Sequence, residues 1–380
     1  MRKYVKTLLV SLLCIALMTG SLIPAFAMTG FEEKINSYCE NINAITVYDM
    51  TADKMLFGKN ENTHIAIAST TKLMTALLAM DFGEDLHASF EVSSAAASVG
   101  GSSLYLQTGE YVDLETLLHG LLLESANDAA VVLAEGLCGT EADFVRRMNE
   151  KAAVLGMTNT HFENPHGMPA DGHLSSAADL ARLMGAVSQN AYLMELLAKR
   201  SYSSGSRYMT NHNKLLDQIP ECDGGKTGYT KTAGRCLVST AEVCGRRYIA
   251  VTLNDPKDWD DHATMYDYAE SMQTSVFMSK IDLSRKIPVT GGGELLCMPT
   301  GGIRISVPSY LNEKLSVLYE LPKFVYPGVC RGMPVGTVKI FAGGCLSSSV
   351  PLYAAEDVLI PADPETVWSR IVAFIFGWLR

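Results

Sequence analysis

Residues 66–80 read AIASTTKLMTALLAM. Apolar side chains would fall on nearly every face of a helix drawn through this stretch, which marks a buried helix. Yet Lys72 sits inside it, one turn after Ser69, and is the only charged side chain between Glu61 and Asp81. Burying a charge is expensive unless something uses it. We read a helix over 69–80 with Ser69 at its N-terminus, where free N–H groups and the dipole favour negative charge. At i and i+3 the two side chains share a face, so the ammonium reaches the hydroxyl. Serine is a poor nucleophile until a neighbouring base takes its proton. A lysine can be that base only if burial or another cation lowers its pKa. The plain alternative is a helix cap followed by a lysine that snorkels to solvent. S-x-x-K alone does not decide between the two.

Outward from this helix the periodicity changes twice. Residues 44–58, AITVYDMTADKMLFG, read as two short strands joined by a polar turn. From about 112 to 200 the patterns are helical, as in DLETLLHGLLLES, DAAVVLAEGL, EADFVRRMNEKAAVLG and SAADLARLMGAVSQ. Past 225 the period returns to strands, RCLVSTAEV then RRYIAVTLN, and DHATMYDYAESMQTSVF (261–277) reads as a final helix. Strands, a helical insert, then strands imply a mixed α/β domain of the α+β kind, over residues 28–283, with an antiparallel sheet and a helical subdomain. A composition shift near 285 opens short Gly- and Pro-broken β segments. We read 286–357 as a small all-β domain.

The 380 residues are 48% apolar and 19% charged, ordinary for a globular protein. A net charge of −10 and the lack of any Lys/Arg-rich run argue against nucleic-acid binding. Residues 1–27 carry Arg2, Lys3 and Lys6, an apolar run from Leu8 to Met18, and Ala25-Phe26-Ala27. That is the pattern of a secretory signal peptide, and its removal would take the charge to 28 − 41 = −13. Eight of the nine cysteines follow it, without a C-x-x-C, and free buried thiols are expected for most. The tail 362–380 holds a short apolar run bracketed by Trp368 and Trp378 and flanked by Arg370 and Arg380. It is too short to span a bilayer but suits an amphipathic helix at the membrane–water interface. The competing reading docks that helix on the protein body.

Two further motifs bear on Ser69 and Lys72. Ser125-Ala126-Asn127 lies between two helical patterns, where a hydroxyl and an amide can point into one cleft. Ser125 could relay a proton there and Asn127 hold a substrate carbonyl; otherwise either is an ordinary N-cap. The same spacing recurs at Ser188-Gln189-Asn190, in a helix tail beside no other chemistry. Lys226-Thr227-Gly228 enters a strand. Lys226 offers a second cation, Thr227 a hydroxyl for a carboxylate, and Gly228 close backbone approach to a ligand. The N–H of Tyr229, with that of Ser69, could form an oxyanion hole. The alternative for Lys226 is a solvated lysine at a turn.

S-x-x-K, S-x-N and K-T-G in this order form the set known for class A β-lactamases and penicillin-binding proteins. The flanks ASTTKLMTALLA, GGSSLYLQTGE, NPHGMPADGHLSSAADLARLM, NHNKLLD and DGGKTGYTKTAGRCLVSTA extend the match. They resemble the low-molecular-mass penicillin-binding proteins, the serine D-alanyl-D-alanine carboxypeptidases. MPVGTVKIFAGGCLSSSVPLYAAEDV resembles their β-rich C-terminal domain. The resemblance implies a β-lactamase/transpeptidase-like catalytic fold and a peptidoglycan pentapeptide substrate. It implies that Ser69 is acylated with Lys72 as base, that Ser125 shuttles the proton, and that Asn127 positions Lys72 and the substrate amide. Lys226 and Thr227 would bind the terminal carboxylate. β-Lactams would act as covalent inhibitors, no metal or cofactor is called for, and the site would face the outer side of the cytoplasmic membrane.

Ala126, Gly225-Lys226 and His212-Asn213 depart from commoner family forms. His166 reads either as a supporting active-site residue or as a structural loop histidine. A class A β-lactamase would need a carboxylate to activate the deacylating water, for which Glu163 is the obvious candidate. A penicillin-binding module of little turnover is the non-enzymatic rival.

Overall fold

The computed structural model describes residues 42–359. The leader 1–27, the tail 362–380 and Cys39 lie outside the described residues, and the signal-peptide and anchor readings with them. The chain divides into two compact units, between Ser271 and Met272.

The first unit is built on one antiparallel sheet. Its strands are β1 (Ala44–Asp49), β2 (Lys54–Lys59), β3 (Cys222–Thr230), β4 (Gly234–Val243) and β5 (Arg246–Leu253), in the order β2-β1-β5-β4-β3. The sequence between β2 and β3 folds as a 3-10 turn, Ala68–Thr71, followed by helices. The longer of these are α1 (Lys72–Asp81), α2 (Leu114–Leu122), α3 (Asn127–Cys138), α4 (Glu141–Val154), α5 (Ala177–Val187) and α6 (Ala191–Ala198). Polar caps start most of them. Asp113, Thr140, Ser176 and Asn190 each accept an N–H from the first turn of α2, α4, α5 and α6.

α1 packs against α2, α3, α4 and α5. Being surrounded, it is apolar all round, and Leu73, Met74, Ala76 and Ala79 have no exposed surface. Helix α7 (Asp258–Ser271) and α5 cover opposite faces of the sheet. Gly185 of α5 faces the Ile249 side chain, whereas His262 of α7 bonds Thr252; residues an odd number apart on a strand point to opposite sides. Covered on both faces, β5 is buried nearly throughout.

Two boundaries differ from the sequence reading. The α-helix begins at Lys72, and Ser69 lies in the 3-10 turn before it. Because i and i+3 eclipse in a 3-10 turn, the two side chains still share a face. The last helix ends at Ser271, and Gln273–Met278 is a strand, β6. Thr274, Val276 and Phe277 favour that pairing, and β6 runs antiparallel to β9 (Ile303–Pro308).

In the second unit a five-stranded antiparallel sheet follows the order β7-β8-β12-β11-β10. Its strands are β7 (Arg285–Pro288), β8 (Glu294–Met298), β10 (Leu315–Glu320), β11 (Pro334–Ala342) and β12 (Cys345–Ala354). Ile287, Leu295, Val338, Ile340 and Leu352 are buried at its core. Cys138, Cys222, Cys236, Cys244, Cys297 and Cys330 carry free thiols; three are buried, Cys138 is half-buried, and Cys244 and Cys330 are exposed. Among the described residues no helix is long and apolar enough to cross a membrane.

A proton-sharing pair sits at the start of α7. Burial and the Asp255 carboxylate push Asp261 up from 3.8 to about 7. Its folded pKa is raised, so its contribution to stability is full below 3.8 and is lost as pH rises through about 7. Asp261→Asn, which mimics the protonated acid, should therefore raise Tm above pH 7. The expected gain is roughly 2–4 °C, the shift that about 1 kcal/mol gives in a domain of this size. Thermal unfolding of both proteins at pH 5 and 8 checks this; an equal difference at both values would contradict it.

Candidate active site

Ser69 is half-buried in the 3-10 turn. The residue before it, Ala68, has φ +47°, a left-handed conformation that costs a non-glycine residue roughly 1–2 kcal/mol. Surrounding groups hold it there. Thr71 Oγ1 donates to the Ala68 carbonyl at 2.8 Å, and Thr70 Oγ1 to that of Ile67 at 2.7 Å. Two glycines close on the Ala68–Ser69 peptide. A Cβ at Gly167 would stand 2.0 Å from the Ala68 oxygen, and one at Gly228 2.9 Å from the Ser69 nitrogen. Gly228 therefore admits the protein's own backbone as well as lining the cleft. Gly167, at φ +89°, is needed for both conformation and space. Gly167→Ala should cut the rate of penicillin labelling by about 10²-fold, the loss expected when a reacting group is displaced by about 1 Å. A labelling time course checks it, and an unchanged rate would contradict this packing.

Lys72 has no exposed surface. Its Nζ is 3.0 Å from Ser69 Oγ, 2.7 Å from Asn127 Oδ1 and 2.6 Å from the His166 carbonyl. Burial lowers its pKa well below 10.5, the Lys226 charge lowers it further, and Asp128 opposes both. The partners suit a neutral amine. Asn127 Oδ1 and the His166 carbonyl can only accept, so they take two N–H bonds, and the lone pair is left facing the Ser69 hydroxyl. Asn127 cannot be turned round, because its Nδ2 donates to the Gly100 carbonyl at 2.6 Å.

Ser125 stands between α2 and α3 with φ +60°. Its hydroxyl is buried without a hydrogen-bond partner among the described residues. Such an orphan is a group awaiting a ligand or a proton. It lines a cleft of about 350 Å³ with Ser69, Ser102, His212, Lys214, Thr227, Gly228 and Tyr229. Arg235, Asp258 and Trp259 form another part of the wall; Arg235 pairs with Asp258 at 2.7 Å and stacks over Trp259.

Lys226 is on β3, the edge strand, and is 1% exposed. Burial pushes its pKa down to about 7, with Glu124 opposing. Its Nζ donates to the Thr227 carbonyl at 3.0 Å. Two of the departures from family form lie together: a Cβ at Gly225 would meet Asn213 Nδ2 at 2.9 Å. His212 is at the rim, 3.5 Å from Glu124.

His166 serves through its main chain, as acceptor for Lys72; its ring is pushed down to about 3 by burial. Glu163 does not line the cleft, and its carboxylate pairs with His161 at 3.0 Å. Among the described residues no group of three or more His, Cys, Asp or Glu could hold a metal ion.

Sequence reasoning passed over Asp128. It is 1% exposed and accepts from Ser103 Oγ at 2.6 Å and from the N–H groups of Leu104 and Leu106 at 3.0 and 3.1 Å. It thereby ties the segment after the cleft residue Ser102 to the start of α3. The available signal was the one that revealed Lys72, a lone charge opening an apolar run.

The three motifs thus meet at one cleft on an antiparallel sheet flanked by helices, the arrangement of the penicillin-binding and transpeptidase folds. A D-alanyl-D-alanine carboxypeptidase from Francisella tularensis superposes with TM-score 0.59 at 26% identity, over 84% of this chain and 94% of that one. Penicillin-binding protein 6B from Escherichia coli gives 0.60 at 25%, over 82% and 94%. The profile of the D-alanyl-D-alanine carboxypeptidases, peptidase family S11, matches residues 36–257. The D-alanyl-D-alanine carboxypeptidase DacF of Bacillus subtilis is 30% identical over 90% of this chain and 93% of its own length. The chain belongs to the D-alanyl-D-alanine carboxypeptidase family.

Proposed function

We propose that the protein removes the terminal D-alanine from peptidoglycan pentapeptide stems through a serine acyl-enzyme. The observation that carries this is Lys72, buried and 3.0 Å from Ser69 Oγ with its two other partners both acceptors. Ser69 attacks the carbonyl of the penultimate D-alanine as its proton passes to Lys72. The N–H groups of Ser69 and Tyr229 take the developing oxyanion. Ser125, whose hydroxyl is otherwise without a partner, carries the proton on to the departing amine. Thr227 in the cleft and Lys226 beside it receive the terminal carboxylate, and Asn127 holds Lys72 in place. Water then hydrolyses the ester. A β-lactam enters the same cycle and stalls at that ester.

The substrate places the enzyme outside the cytoplasmic membrane. Residues 1–27 as export signal and 362–380 as an interfacial anchor fit that setting. We further propose 28–283 as the catalytic domain and 286–357 as its β-rich companion. The position of Glu163 supports hydrolysis of wall peptide over a β-lactamase role, since no carboxylate from that loop reaches the cleft.

The test is D-alanine release from a synthetic peptide ending in D-Ala-D-Ala, run beside radiolabelled penicillin. Release together with a long-lived penicillin adduct is expected. Rapid penicillin turnover without release would overturn the reading in favour of a β-lactamase. A stable adduct without release from either free or crosslinked peptides would favour a binding module.

A further inference from the structure

The peptide between Ala68 and Ser69 is gripped from a loop almost a hundred positions away. Residues 161–174 are closed by paired bonds between His161 and Leu174, at 2.9 and 3.0 Å. Within the loop, the Glu163 N–H donates to His173 Nδ1 at 3.0 Å. A backbone N–H can only donate, so Nδ1 accepts and the neutral ring carries its proton on Nε2. That proton points to Thr71 Oγ1, 2.8 Å away. The Thr71 hydroxyl is then left to donate to the Ala68 carbonyl, also at 2.8 Å. Glu163, His173, Thr71 and Ala68 thus form a chain whose direction is set at its first link. Thr71 is fully buried and His173 is 3% exposed. Burial pushes His173 down to about 4, so the ring stays neutral near pH 7.

In a trans peptide the carbonyl and the following N–H point in opposite directions. Holding the Ala68 carbonyl therefore aims the Ser69 N–H. Ala68 at φ +47° would not stay in this orientation by its own preference. We propose that His173 and Thr71 are positioning residues, which act through the Ala68 carbonyl to aim the Ser69 N–H at the oxyanion. This rests on the assignment of Ser69 given above. The oxyanion exists only on the way to the acyl-enzyme, so the relay stabilises the transition state more than the bound substrate. Its loss falls on kcat and acylation rate and spares KM.

Paired substitutions separate this role from simple packing. Thr71→Ser keeps the hydroxyl, and Thr71→Val keeps the shape without it. His173→Gln keeps an N–H at the reach of Nε2. His173→Asn keeps an acceptor for Glu163 and falls short of Thr71. With the full chain, the readouts are penicillin acylation rate, kcat and KM for D-alanine release, and Tm. Thr71→Val and His173→Asn should lose about 10²-fold in acylation rate and kcat, the low end for a lost oxyanion donor, with KM within about threefold. Thr71→Ser and His173→Gln should remain within about fivefold of wild type. Equal behaviour within each pair, or a loss carried by KM, overturns the proposal. If one position does not tolerate its variants, the pair at the other decides. Ser69→Ala is run alongside. Labelling that survives in Ser69→Ala overturns the nucleophile assignment; labelling lost there but unchanged in Thr71→Val overturns the relay alone.

Discussion

Ser69→Ala is expected to abolish both penicillin labelling and D-alanine release while leaving the fold intact. Among the described residues the hydrogen-bond partner of Ser69 Oγ is Lys72, at 3.0 Å, and the side chain is only half-buried. Removing it therefore opens no core cavity and orphans no obligate donor. Ser125, another hydroxyl of the cleft, is not expected to substitute for it. Among the described residues it is the Ser69 hydroxyl, and not that of Ser125, that is hydrogen-bonded to Lys72. Intact-mass measurement after incubation with penicillin reads the result. A penicilloyl adduct on the alanine variant would remove Ser69 from its role.

Lys72→Met is the second large effect. Methionine has nearly the length of lysine and keeps the apolar stem in α1. It removes the base, so acylation should fall by about 10²–10⁴-fold, the usual worth of a positioned general base. Asn127 Oδ1 and the His166 carbonyl lose their donor, so stability should also fall, by about 1–3 kcal/mol for each group left unsatisfied. Lys72→Arg should be as inactive, because a guanidinium does not deprotonate in proteins. Stopped-flow acylation and denaturant titration separate the two effects. Near wild-type acylation by either variant would place the base elsewhere, with Lys226 next in line.

What could be read from the residues alone, and what could not, divides by distance along the chain. The strands at 44–58, the helical insert and the return to strands after 225 follow from local periodicity, and the sheet forms from those segments. Ser69 with Lys72, Ser125 with Asn127, and Lys226 with Thr227 are each close in sequence, so each pair carries its own geometry. Their meeting at one cleft was legible only through the motif order. The grip on the Ala68–Ser69 peptide was not legible, because Gly167 and His173 reach it from a loop with no periodic pattern. The repeated S-x-N shows the converse. Ser188 bonds back to the Met184 carbonyl, and Asn190 caps α6; the same spacing there is a helix end and a helix start. Helix ends were misplaced where competing preferences meet. Ala68, strained and buried, tightens the start of α1 into a 3-10 turn, and the β-branched residues after Ser271 leave the helix for a strand.

The account turns on a lysine that is neutral because it is buried beside a second lysine. The pH dependence of the penicillin acylation rate tests this most directly. The rising limb should titrate well below 10.5, the ordinary lysine value, and reach a plateau there. A rate that kept rising about tenfold per pH unit up to about pH 10 would mean an unperturbed amine. It would contradict Lys72 as a base held neutral by its surroundings.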